Sequence, residues 1–128
     1  MNLINIIAVA SGGAVGATLR MLISSSTNKH FISTIPYGTV LVNLLGSFII
    51  GLLFAYFQLH TQLSPSIKTF LITGLLGALT TYSTFAIESF LMLQAGQYTH
   101  AFASMALNLF GSIFLAGLGY LLIIQFSK

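Results

Sequence analysis

The sequence predicts an all-α integral membrane protein of four spanning helices, the third of them broken in mid-membrane. Three observations predict it. Of 128 residues, 56% are hydrophobic and only 4% charged, where a soluble domain carries roughly a quarter charged. The apolar residues gather into four long runs with short polar connectors between them. Glycines and hydroxyls then cluster in the middle of the third run. Five formal charges and a mean hydropathy of +0.99 leave no means of covering a water-facing surface. Each crossing takes ~20 residues, so residues 1–128 form a single transmembrane domain with little left for an extramembrane one.

The first helix runs from Leu3 to Ser24, the second from Thr39 to Phe57, the third from Ser66 to Leu93 and the fourth from Ala101 to Gln125. Lipid offers backbone groups no partner, so apolar runs of this length read as spanning helices. Ala8-Val9-Ala10 resembles a signal cleavage site, but no positive region leads it and only Leu3 to Ile7 precede it; a first spanning helix fits better. Gln58 to Pro65 is polar and ends on a proline suited to start a helix. Tyr37, Tyr56, Tyr98 and Tyr120 fall near predicted helix ends, the depth of the headgroup layer.

Four crossings place both termini on one side, with Lys68 and Lys128; Arg20 and Lys29 lie on the other. Orientation follows an excess of Lys and Arg on one face, and two against two is no excess. A chain that inserts both ways up can pair with an inverted copy, so the count predicts an antiparallel, dual-topology dimer. The pI near 9.5 does not signal nucleic acid, because no basic stripe is present to neutralise phosphates. Cysteine is absent. His30, His60 and His100 lie in or beside connectors, without metal-ligand spacing. No nucleophile–base pair and no phosphate-binding loop is found, and no enzyme is expected.

The chemistry sits in the helices. Gly77-Ala78-Leu79-Thr80-Thr81-Tyr82-Ser83-Thr84-Phe85 is too polar to face lipid, and glycine and clustered hydroxyls are poor helix-interior residues. A break is tolerated only where it is buried or lines a wet cavity, and its free carbonyls bind cations. Close packing alone needs small residues but not five hydroxyls. On helix two, Thr39, Asn43 and Ser47 share a face; on helix four, Ser104, Asn108 and Ser112 repeat the pattern. Asn43 is either pore lining or an interhelical hydrogen bond worth ~0.6 kcal/mol. Gly12-x-x-x-Gly16 reads as a packing motif on helix one. Arg20 on the same face either snorkels or draws anions to a pore mouth. Glu88, the only acid, either nears that vestibule or pairs with Arg20 or Lys68.

Three blocks resemble the CrcB/Fluc fluoride channel family across nearly the whole chain: Gly12 to Arg20 in helix one, Gly38 to Gly46 in helix two, and Gly74 to Phe85 in helix three. The resemblance implies a fluoride-selective passive channel in the cell inner (plasma) membrane. It would be an antiparallel homodimer with two parallel pores, lowering cytoplasmic fluoride that enters as HF. It implies a sodium ion at the dimer interface on the carbonyls of Gly77 and Thr80 from each subunit. It implies that Asn43 lines the pore, that Tyr82 and Phe85 present ring edges to fluoride, and that Ser83, Thr84 and Ser112 belong to the ion path. Ring edges carry partial positive charge, Asn43 and hydroxyls donate hydrogen bonds, and a buried cation adds its field.

Two positions depart from the family pattern. Residue 82 is tyrosine where phenylalanine is usual, and Ala116 stands where a hydroxyl would continue the track from Ser112. An imperfect pore of this kind also fits a heterodimer with a homologous subunit. A small multidrug exporter, another four-helix dual-topology dimer, needs a carboxylate in helix one, which has none. A structural subunit without transport leaves the polar stripes unexplained.

Overall fold

A computed structural model describes residues 2–127; Lys128, part of the charge count above, lies outside them. Among the described residues, four helices are long and apolar enough to cross a bilayer: α1 (Leu3–His30), α2 (Tyr37–Leu59), α3 (Pro65–Gln94) and α4 (Tyr98–Phe126). Ser64 caps α3, its side chain accepting from Ile67 N, with Pro65 at the first position. There the missing proline N–H costs nothing.

From the sequence, helix one ends at Ser24, yet α1 continues to His30. Its polar end stays helical because side chains return to their own backbone. Ser24 Oγ donates to Arg20 O at 2.6 Å, Thr27 Oγ1 donates to Ile23 O at 2.7 Å, and His30 Nδ1 lies 2.8 Å from Ser26 O. Hydroxyls so engaged do not compete for the chain's own N–H groups.

The third helix is broken where Thr80 (φ −80°, ψ 156°) and Thr81 (φ −148°, ψ 112°) are both extended. Before the break, Thr69–Leu76 is π-helical, and after it Tyr82–Gln94 is a regular helix. A second π-helical turn, Leu107–Gly111, interrupts α4. Such turns are rare and concentrate at functional sites.

Packing follows the small residues. α1 lies against the first half of α3, α2 against α4, and α1 against α2. Gly12 and Gly16 of α1 meet the backbone at Phe70, Gly74 and Leu75 with no room for a Cβ, so the backbones themselves touch, which small residues permit. Val42, Leu76 and Leu79 form the buried core, with Ile23, Ile49, Ile50, Leu53 and Leu75 around it. The outer faces stay apolar and exposed, as at Phe110, Ile113 and Phe114 of α4, which suits a lipid solvent.

Candidate functional site

The break is held by a side chain from another helix. Thr81 N donates to Asn43 Oδ1 at 2.7 Å, and Asn43 Nδ2 donates back to Thr81 O at 3.1 Å. One amide thus satisfies both backbone groups of the residue that leaves the helix. Without it, each would be unpaired in a dry environment at a cost of several kcal/mol. The Thr81 side chain starts the second half of α3, accepting from Thr84 N at 3.3 Å and donating to Thr84 Oγ1 at 2.8 Å. Such a cap is worth ~1 kcal/mol. Gly46, one turn below Asn43, gives Thr80 Cγ2 the space a Cβ would fill.

The interruption exposes two half-helix ends. In a continuous helix Thr81 N would bond to the Gly77 carbonyl; here it bonds to Asn43 instead, and that carbonyl is released. The first half of α3 therefore ends in free carbonyls, a partial negative charge. The second half begins with free N–H groups at Tyr82 and Ser83, a partial positive charge. A cation is drawn to one end and an anion to the other.

A cavity of about 370 Å³ opens at this point. Asn43 and Ser47 of α2 line it, with Gly77, Thr80, Thr81, Tyr82 and Phe85 of α3, and Asn108 and Ser112 of α4. The Tyr82 and Phe85 rings meet edge to face, centroids 5.6 Å apart and planes at 67°. Tyr82 is 81% exposed at the rim, so one chain leaves the cavity open on that side.

Among the residues singled out from the sequence, Asn43, Tyr82, Phe85, Ser112, Gly77 and Thr80 come together at this cavity. Ser83 and Thr84 do not line it, and the Thr84 hydroxyl is engaged with Thr81. Arg20 neither snorkels free nor stands alone: its Nη1 lies 3.4 Å from Thr80 O, at the break itself. Glu88 pairs with neither Arg20 nor Lys68; Thr39 Oγ1 donates to its Oε1 at 2.9 Å, and its Oε2 is buried without a partner.

Asn43 is more engaged than a free donor to an ion would be. Its second N–H goes to Asn108 Oδ1 at 2.7 Å. The sequence stripes contained Asn108, Ser47 and Thr81 but gave no reason to rank them; the reason lies in contacts between helices. Ala116, one turn beyond Ser112, does not line the cavity; its carbonyl lies against Gly51 of α2.

Comparison with known proteins agrees with the geometry. The family model described as CrcB-like protein, Camphor Resistance (CrcB), matches residues 7–120. A relative from Sulfurimonas denitrificans named fluoride-specific ion channel FluC is 52% identical over 118 residues, 92% of each chain. Relatives of the same name are 50% identical in Campylobacter jejuni, over 91% of this chain and 95% of theirs, and 47% identical in Shewanella woodyi, over 93% and 95%. With four membrane-spanning helices, a third helix broken beside an aromatic pair, and a family match over almost its whole length, the chain belongs to the CrcB-like family.

Proposed function

We propose that the chain is a subunit of a passive, fluoride-selective channel in the cell membrane. One observation carries this reading: the cavity beside the broken helix gathers an aromatic edge pair, serine hydroxyls and a helix N-terminus, and no buried carboxylate lines it. Those groups are weak donors of partial positive charge. Fluoride is small and strongly hydrated, so many such donors must offset its lost water. The names of the relatives support the same ion.

The rim around Tyr82 is open, and the outer helix faces are apolar. An inverted second copy covers this side, in keeping with the small difference in Lys and Arg between the two faces, Lys29 on one and Lys68 and Lys128 on the other. The chain has no cysteine, so Lys29→Cys introduces a single label. In the dual-topology arrangement a membrane-impermeant thiol reagent reaches about half the copies from either side; labelling from one side only would reject it.

The free Gly77 carbonyl is a donor of the kind sodium takes. The Thr80 carbonyl accepts one long hydrogen bond from Arg20 and keeps a second lone pair. Gly77 and Thr80 from two copies would hold a sodium ion at the dimer interface, and the ion would supply a fixed positive field. Preparation in sodium-free buffer then lowers activity, and returned sodium restores it; indifference to sodium would remove the ion from the scheme.

The decisive measurement is fluoride efflux from proteoliposomes holding the purified chain, with chloride as control. Fluoride leaves and chloride stays. Phe85→Ile abolishes the flux while the size of the assembly is kept. Efflux no faster than from empty liposomes would end the reading.

A further inference from the structure

We infer that Asn108, on the π-helical turn of α4, is a positioning residue that locks the Asn43 amide as a splint for the helix break. This rests on the fluoride-channel reading above.

The argument is one of hydrogen-bond polarity. A primary amide has two N–H donors and one carbonyl acceptor. Thr81 N can only donate, so it must meet the oxygen of Asn43. The Asn43 nitrogen is then turned toward Thr81 O at 3.1 Å and Asn108 Oδ1 at 2.7 Å, and both its hydrogens are used. The Asn108 nitrogen donates in turn to Ser104 O at 2.9 Å, a group that can only accept. The chain runs from a donor-only N–H to an acceptor-only carbonyl, and neither amide can flip without placing like against like at both ends.

Burial makes the arrangement matter. Asn43 is 9% exposed and Asn108 6%, and hydrogen bonds are stronger where water is scarce. The Ser47 and Ser112 hydroxyls line the same cavity and form no hydrogen bond within the described chain. Asn108 acts through Asn43, and Asn43 through the shape of the break.

The test uses the full chain, reconstituted for fluoride flux and ¹⁵N-labelled in lipid nanodiscs for amide exchange. With Asn108→Ala, flux falls about tenfold and Thr81 amide exchange quickens by a similar factor, the effect of one buried hydrogen bond. Asn108→Ser recovers most of both, since a hydroxyl can accept and donate. Adding Asn108→Ala to Asn43→Ala causes no further loss. Additive losses, or Asn108→Ala with wild-type flux and Thr81 protection, would overturn the inference. If Asn108→Ala yields no folded protein, Asn108→Asp keeps the acceptor and must keep Thr81 protected; a quickened Thr81 amide there also overturns it. A wild-type chain that carries no fluoride defeats the channel reading alone, because Thr81 exchange still decides the role of Asn108.

Discussion

Arg20 Nη1 of α1 donates to the carbonyl of Thr80 at 3.4 Å, so the chain's arginine is tied to the residue pair that, among the described residues, breaks a helix. That carbonyl belongs to the C-terminal end of the first half of α3, where a positive charge is favoured. The guanidinium is thus anchored at the break rather than snorkelling to the interface.

Replacing Arg20 separates anchor from charge. Arg20→Gln keeps a donor and loses the charge; fluoride flux falls about two- to fivefold, the size of a helix-end charge effect. The loss is greatest at low ionic strength, since screening weakens the field in the wild type. Arg20→Lys stays closer to the wild type. Flux measured at two salt concentrations checks this, and equal salt dependence in all three proteins would count against it.

Thr39 and Glu88 make a second cross-helix tie. Among the described residues, the Thr39 hydroxyl is the one donor to a carboxyl group whose other oxygen is buried without a partner. Thr39→Val leaves both oxygens unpaired and lowers unfolding stability in detergent by about 1–3 kcal/mol. Thr39→Ser, which keeps the donor, stays near the wild type. In a Glu88→Ala background the Thr39→Val penalty shrinks, because the acceptor oxygen is gone. Melting curves of the four proteins form a double-mutant cycle, and a zero coupling would show the contact to be idle.

How much of this could be read in the chain differs from residue to residue. The break was visible because glycine and hydroxyls gather between Gly77 and Thr84, each a poor helix former on local grounds alone. Its placement at Thr80 and Thr81 was not, because Asn43, distant in sequence, takes the Thr81 N–H away from Gly77. The polar tail of α1 misled for the opposite reason: Ser24 and Thr27 look like loop, yet bond back to their own helix. Asn108 stood in a visible stripe, but a stripe cannot say which amide faces which; that needs α2 and α4 side by side.

The packing of α1 on α3 is tight enough to predict single-carbon effects. A Cβ on Gly16 overlaps the Leu75 carbonyl oxygen and stands 2.9 Å from its carbon. Backbone cannot move aside as a side chain can, so Gly16→Ala destabilises by about 1–3 kcal/mol. Gly13 is the contrast: nothing lies within 4 Å of its Cβ position, and Gly13→Ala changes stability by no more than about 0.5 kcal/mol. Thermal unfolding in detergent compares them; a larger loss at Gly13 would mean that another copy, not α3, sets the constraint there.

Tyr82 pairs with Phe85 at the cavity, and under the channel reading its role there falls to the ring rather than the hydroxyl. It meets Phe85 edge to face at 5.6 Å, an arrangement worth about 0.5–1.5 kcal/mol beyond burial. Tyr82→Phe keeps that geometry, and fluoride flux stays within about threefold of the wild type, on the scale of the weaker end of such a pair. Tyr82→Ile removes the ring edge and the pair with it, and flux falls about tenfold or more, the stronger end. The chloride control stays silent in the first variant, because the ring pair is kept. Both are read in one liposome assay. If Tyr82→Phe instead lost flux as Tyr82→Ile does, the hydroxyl would be the group that meets the ion, and the aromatic edge would be its support.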